Sequence, residues 1–184
     1  MRRKVGQPDH DGRQQGGNVC GEGGSGEGAS TSCISTADIS AGQGVSSGYN
    51  PSLVVDEVNG KLLVVAGDAN NANRPALYRC ALDGTSCTHT DISAGQGTTG
   101  DFYPNRDSDA VIDTVNQKLL VATTNAANGG RPALFRCELD GSGCTYTDIS
   151  AGQGLESGDY PSVLIDTENR KLLVLTTNSL SDGP

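Results

Sequence analysis

The sequence is poor in the residues that build a large core. It has no tryptophan and one methionine among 184 residues, with 4% aromatic and 34% hydrophobic residues. Any core must therefore be lean. No apolar run approaches the roughly 20 residues that cross a bilayer, and no apolar signal-peptide stretch follows the basic residues 1–4. We expect no membrane span and find no visible secretion signal.

Basic residues and histidines are also scarce. Thirteen Lys and Arg against 22 Asp and Glu give a formal net charge of −9. Binding a nucleic-acid backbone requires clustered basic residues, so we expect no nucleic-acid partner. The two histidines, His10 and His89, cannot assemble a catalytic triad or a histidine-based metal site.

Cysteine, by contrast, is abundant and regularly spaced. Six cysteines fall into three pairs, which are Cys20 with Cys33, Cys80 with Cys87, and Cys137 with Cys144. The last two pairs enclose six residues each, which suits local disulfides and differs from the two-residue gaps of zinc knuckles. We predict three disulfides rather than a metal site or free thiols. Disulfides indicate an oxidising compartment, hence an extracellular or cell-surface location.

A tandem repeat occupies most of the chain. The heptapeptide Asp-Ile-Ser-Ala-Gly-Gln-Gly begins at Asp38, Asp91 and Asp148, at intervals of 53 and 57 residues. Residues 74–80 return almost unchanged at 131–137. Aligning Pro104 with Pro51 and Pro161 places four extra residues of the longer unit within 105–109. A period of this length is typical of propellers and other repeat arrays.

Two regions follow from this pattern. Residues 1–33 are rich in Gly and polar residues, so we predict a disordered N-terminal segment. The pair Cys20 and Cys33 closes a loop at its end. Residues 34–184 are predicted to form the repeat region, with units of about 53–57 residues.

Each unit is predicted to contain two β-hairpins. In the first unit, residues 52–56 and 61–65 flank a turn containing Asn59 and Gly60, and residues 76–82 and 85–92 flank Asp83 and Gly84. The first two strands are apolar on both faces, so they need cover above and below. Sheets stacked face to face supply that cover. We therefore predict an all-β fold of four-stranded antiparallel blades, as in an incomplete β-propeller.

The turn at Asp83 and Gly84 sets a predicted register for the second hairpin. Its opposed pairs are Leu82 with Thr85, Ala81 with Ser86, and Cys80 with Cys87. Opposed Cα atoms about 4.5–5.5 Å apart suit a disulfide. Closing so short a loop contributes roughly 2–3 kcal/mol in the chain-entropy model. This hairpin is polar, so we place it at the outer edge of the blade.

The unit resembles the sialidase-type propeller blade with its Asp-box, Ser-x-Asp-x-Gly-x-Thr-Trp. The corresponding stretches are residues 80–88 and 137–145, where Asp and Gly are adjacent and cysteines replace the Ser and Trp ends. The resemblance covers the chain from about Ile34 onward. It implies that Asp83, Gly84, Asp140 and Gly141 form structural turns.

No catalytic residue is assigned. The resemblance would require three arginines, a Tyr nucleophile with a Glu partner, and an Asp acid/base, and none of these maps onto this chain. Arginines at 74, 79, 131 and 136 recur with the scaffold and are predicted to serve it. The tyrosines Tyr49, Tyr103 and Tyr160 lie near the prolines that start the inner strands. Their side chains either pack within the fold or form a rim that stacks on a sugar.

The loops offer few other candidates. Residues 91–97 are Gly-rich but lack the following Lys and helix of a phosphate-binding loop, so we predict a connection between blades. Calcium is an alternative use for loop acids, namely Asp38, Asp91, Asp101, Asp148 and Asp159, but no EF-hand spacing is present. We assign no metal or cofactor. Arg106 and Asp107 in the insertion are further possible rim-binding residues. Together with Asp109 they are the only arginine or acidic candidates confined to one unit that would favour a catalytic role, and an ordinary loop insertion explains them as well.

Two functions remain open. The first is a non-catalytic, secreted or surface-exposed module for binding or adhesion, with a glycan or protein ligand at the loops. The second is a fragment of a sialidase-like glycoside hydrolase with catalytic residues elsewhere. The high identity between units favours the first. Two blades and part of a third do not close a propeller, so we expect missing blades from a longer chain or self-association.

Overall fold

The chain is built from short antiparallel strands with almost no helix. The computed structural model describes residues 37–44, 48–96, 108–153 and 158–177. The strands are β1 (Gly48–Asp56), β2 (Lys61–Asp68), β3 (Arg74–Ala81), β4 (Thr88–Asp91), β5 (Asp109–Asp113), β6 (Lys118–Asn125), β7 (Arg131–Glu138), β8 (Thr145–Asp148), β9 (Asp159–Asp166) and β10 (Lys171–Thr177). The predicted segment 1–33 lies outside the described residues, as does the pair Cys20 and Cys33.

The strands form three separate sheets in chain order. Sheet 1 has the order β1-β2-β3-β4, sheet 2 has the order β5-β6-β7-β8, and hairpin 3 consists of β9 and β10. The all-β prediction of four-stranded antiparallel units is therefore confirmed. The described strands do not close into a barrel or a propeller.

Each first hairpin closes through the same aspartate-asparagine contact. Asp56 accepts hydrogen bonds from the backbone and side-chain amides of Asn59 at 3.1 and 2.7 Å. Asp113 with Asn116, and Asp166 with Asn169, repeat this contact. The loop therefore has four residues, with Asp56 opposite Lys61. Short side chains that bond their own backbone are the usual means of fixing such turns.

The second hairpin turns differently from the predicted register. The amide of Ala81 donates to the carbonyl of Thr85 at 2.8 Å, so Ala81 does not oppose Ser86 and Leu82 does not oppose Thr85. Gly84 has φ +80°, which gives a three-residue loop with a bulge. Ser86, at φ +51°, is one further extra residue. It returns Cys87 to the position opposite Cys80.

Both described cysteine pairs bond within their hairpins. Cys80–Cys87 and Cys137–Cys144 have Cα–Cα distances of 4.0 Å. Each bridge lies next to the Asp turn, where the side-chain oxygen of Asp83 or Asp140 accepts from the backbone and hydroxyl of the residue two positions later. The disulfide and the aspartate together hold the end of the outer hairpin, whose second strand, β4 or β8, has no buried residue.

Strand β2 is covered on both faces, as its composition predicts. Leu63 and Val65 of β2 pack against Leu119 and Val121 of β6 in a core between sheets 1 and 2. The alternate residues Val64 and Ala66 face the other way, into a second core with Tyr78, Cys80 and Ile39. Alternate residues of β2 thus serve two cores, and the core between sheets 1 and 2 forms because these sheets stack face to face.

The repeated heptapeptide connects successive sheets. After β4, the side chain of Ile92 is buried in the core between sheets 1 and 2, and Gln96 Nε2 donates to the carbonyl of Cys144 at 2.6 Å. Gln43 donates to the carbonyl of Cys87 at 2.7 Å in the same way. This agrees with the predicted connection between blades. In the first two heptapeptides the glutamine thus ties the connection to the disulfide hairpin of the sheet that follows it.

The insertion lies earlier than the proline alignment placed it. Asp113 opposes Lys118 as Asp56 opposes Lys61, so Asp109 occupies the strand position of Ser52. Residues 108 and 109 therefore belong to the regular unit and the extra residues precede them. Aligning Pro104 with Pro51 caused the error, because Ser108 holds the proline position in sheet 2.

The connector glutamine provides a matched test. We expect Gln96→Ala to lower the free energy of unfolding by about 1 kcal/mol, because the partly buried carbonyl of Cys144 loses its donor. Gln153 holds the same position in the third heptapeptide, is exposed, and has no side-chain hydrogen bond within the described residues. Gln153→Ala is therefore expected to change stability by less than about 0.5 kcal/mol. Urea unfolding measures both, and equal effects would contradict the connector role.

The aspartate turns predict a loss of stability in acid. Hydrogen bonds from the side chain and backbone of Asn116 hold the pKa of Asp113 below its ordinary value of 3.8. The carboxylate therefore stabilises the fold above pH 3.8, and this contribution disappears as the pH falls through the lower folded-state value. Asn116→Ala should lower stability by about 0.5 kcal/mol at neutral pH and by less in acid.

Urea midpoints across this pH range provide the measurement. Thr114→Ala in the same loop is the control, because its side chain does not contact the carboxylate of Asp113 in the described structure. A penalty for Asn116→Ala that stays constant down to about pH 2 would show that the amide does not act through the ionised carboxylate.

Candidate functional site

A cleft opens where the first strands of the three sheets begin. β5 lies between β1 and β9, and contacts both. The cleft has a volume of about 430 Å³ and is lined by residues 50–52 of β1, 108–109 at the start of β5, and 160–162 of β9. Each of the three sheets thus contributes to one concave surface, in which polar groups converge between prolines.

Asp109 joins the three sheets at this cleft. Its Oδ1 accepts from the hydroxyl of Ser52 at 3.0 Å, and its Oδ2 accepts from the hydroxyl of Ser162 at 3.1 Å and from the amide of Val163 at 2.9 Å. The amide of Ala110 donates to both Asp109 Oδ1 and the Ser52 hydroxyl. The carboxylate is therefore fixed in place by donors from β1, β5 and β9.

Ser52, Asp109 and Ser162 are equivalent positions of the repeat. Each stands four residues before the aspartate of its first turn, namely Asp56, Asp113 and Asp166. The three equivalent positions therefore carry serine, aspartate and serine. Each oxygen of Asp109 already accepts two hydrogen bonds, so the carboxylate serves to orient the two serine hydroxyls. The oxygens of these hydroxyls keep the capacity to accept a hydrogen bond from a ligand.

Tyr160 forms the aromatic part of the cleft. Its side chain is 54% exposed, and its backbone has φ +51° at a bulge where the β9–β10 register shifts. A bulge of this kind turns a side chain away from the regular pleat. Asn50, at φ +45°, occupies the same position in β1, so Tyr160 aligns with Asn50 and Tyr49 aligns with Asp159.

The structure describes only part of the remaining set of predicted rim residues. Tyr103, Arg106 and Asp107 lie outside the described residues. Tyr49 belongs to β1, and only its backbone is described. Of the predicted aromatic rim, Tyr160 is the residue that the structure places at the cleft.

Two of the loop acids considered for calcium have protein partners. Asp91 accepts from the backbone and hydroxyl of Ser93 and from the side chain of Asn71, with Arg74 at 3.8 Å. Asp148 repeats this set with Ser150, Asn128 and Arg131. Burial opposes ionisation of Asp148, but these hydrogen bonds and the Arg131 charge outweigh it and hold its pKa below the ordinary value.

The arginines that recur with the repeat therefore have scaffold contacts. Arg74 and Arg131 face the first acid of the heptapeptide. The charge of Arg79 in sheet 1 acts with the hydrogen bonds from Ser142 to lower the pKa of Asp140 in sheet 2. Among the described residues, no three His, Cys, Asp or Glu side chains gather as a metal site.

Sequence reasoning did not identify the Ser52, Asp109 and Ser162 junction. Asp109 was assigned to an insertion, and the two serines were treated as ordinary strand residues. The constant spacing of four residues between these positions and the turn aspartates could have identified the junction. That spacing fixes the strand register more reliably than a proline does.

Comparisons with protein families, with characterised proteins and with solved structures give no match to this chain. Within the described ranges, no helix has the length and apolar character needed to span a membrane.

Removal of the Asp109 charge tests the junction. Asp109→Asn replaces one acceptor oxygen with a donor, so the hydroxyl and amide groups of β1 or β9 lose their partner. We expect a loss of about 1–3 kcal/mol in the free energy of unfolding. Ser162→Ala removes a single donor and should cost less, about 0.5–1.5 kcal/mol. Thermal and urea unfolding compare the two, and a neutral Asp109→Asn would contradict the bridging role.

Proposed function

We propose that residues 34–184 are blades of a β-propeller that serves as a non-catalytic binding or adhesion module, with a glycan as its ligand. Support for the propeller comes from the neighbouring first strands β1, β5 and β9. Later strands of each sheet follow outward in chain order, ending in the disulfide hairpin. Blades arranged about an axis have this order.

The cleft carries the ligand proposal. Tyr160 offers an exposed ring beside serine hydroxyls and a fixed carboxylate, within a concavity of about 430 Å³. Aromatic rings present a flat apolar surface to the C–H face of a sugar, and polar neighbours bond its hydroxyls. Asp109 disfavours an anionic ligand, so a neutral glycan fits better than a sialylated one.

Binding is favoured over hydrolysis by the composition of the cleft. Glycoside hydrolysis ordinarily uses two carboxyl groups about 5–9.5 Å apart. The described lining residues contain one carboxyl group, Asp109, and it is held by donors from three strands. They contain no arginine for a sialic acid carboxylate. These features support a binding site rather than the hydrolase alternative.

The proposed location is extracellular or on the cell surface. The two bonded cysteine pairs of the described structure are compatible with such a location. A repeat that relies on disulfides for its outer hairpins suits an oxidising environment, where the staples persist.

An immobilised panel of neutral and sialylated oligosaccharides tests the proposal with the oxidised full-length chain. We expect binding to neutral members, weakened about tenfold by Tyr160→Ala, since losing one stacking contact is worth roughly 1.4 kcal/mol. Val58→Ala, an exposed residue in the β1–β2 turn, is the matched control and should bind as the parent does. Binding that survives Tyr160→Ala, or cleavage of a sialylated member, would overturn the proposal.

A further inference from the structure

Apolar side chains are exposed on the outward faces at the two ends of the sheet stack. At one end, hairpin 3 exposes Leu164, Leu173 and Leu175, which we call the trailing face. At the other end, β1 of sheet 1 exposes Leu53 and Val55, which we call the leading face. Large exposed apolar side chains grouped on one sheet face indicate an interaction surface.

The repeat shows what covers a trailing face. Leu173 and Leu175 align with Leu63 and Val65 of sheet 1, each two and four positions after the first lysine of its strand. Leu63 and Val65 are 0% exposed because sheet 2 packs on them, whereas Leu175 is 73% exposed. The same sequence position is therefore buried where a next sheet follows.

The repeat also shows what covers a leading face. Leu53 and Val55 align with Ala110 and Ile112 of β5. Ala110 and Ile112 pack in the core between sheets 1 and 2, together with Leu63 and Val65. Leu53, by contrast, is 58% exposed. The residues exposed at the two ends are thus the two halves of an interface that the chain already forms internally.

We propose that a second copy of this chain binds head to tail, with its leading face on the trailing face of the first. The contact repeats the packing of sheet 2 on sheet 1, so Leu175 lies near Leu53 as Val65 lies in one core with Ala110. A head-to-tail contact uses two different surfaces of each chain. The inference depends on the stacking of the sheets and does not require the cleft to bind a glycan.

Two single substitutions and their mixture test this seating. In sedimentation velocity with the oxidised full-length chain, we expect species heavier than the 18.8 kDa monomer. Leu175→Lys on the trailing face and Leu53→Glu on the leading face should each raise the dissociation constant at least tenfold. When the two variants are mixed, the unaltered leading face of Leu175→Lys meets the unaltered trailing face of Leu53→Glu, so a dimer of the two variants should form.

Val115→Lys is the control, because Val115 is exposed in the β5–β6 turn away from both faces. It should associate as the parent chain does. Circular dichroism melts check that the variants fold, and both altered leucines are already exposed. A monomer at every concentration would overturn the proposal. Variants that dissociate singly but fail to associate when mixed would also overturn it, since like faces would then be pairing.

Discussion

The structure depends on strands that are apolar on both faces. A strand whose successive residues are all apolar has no side to turn to water, so each sheet must lie between two layers. β2 satisfies this requirement by placing Leu63 and Val65 in one core and Val64 and Ala66 in another. Face-to-face stacking of similar sheets is the simplest solution, and a repeated sequence supplies similar sheets.

The outer parts of each sheet are held by other means. The third strands bury Tyr78 and Phe135. The fourth strands have no buried residue, so they rely on a local disulfide and on an aspartate that bonds its own turn. The connector then joins these hairpins, because Gln43 and Gln96 reach the carbonyls of Cys87 and Cys144. The second heptapeptide therefore has a mechanical role, because it brings the buried Ile92 and the hydrogen-bonding Gln96 to sheet 2.

The sequence was sufficient to predict the strand pairs, their grouping in fours and the two cysteine pairs that the structure describes, since these follow from short-range patterns. It was insufficient where local geometry adds an uncounted residue. The turn between β3 and β4 is a three-residue loop, not the ideal two-residue turn that the sequence predicts. Ser86, in a left-handed conformation, is a further extra residue that restores the pairing of Cys80 with Cys87. Asp109 was misplaced because a proline was taken as the landmark of the strand start. The junction at Asp109 is a contact among three sheets, and such contacts leave no local pattern.

The serine, aspartate and serine at equivalent positions show how a repeated fold can acquire a distinctive cleft. Equivalent positions with identical residues would give identical surfaces around the centre of the stack. The one carboxylate breaks that equivalence, and its bonds to Ser52 and Ser162 hold the neighbouring strands at the cleft. Sheet 2 thereby orients the cleft residues of sheet 1 and hairpin 3. Tyr160 adds a second asymmetry, because Asn50 holds its position in β1. Asp109 and Tyr160 thus both depart from the repeat, at the same end of the first strands. They make the cleft asymmetric, which a strictly repeated scaffold would not do.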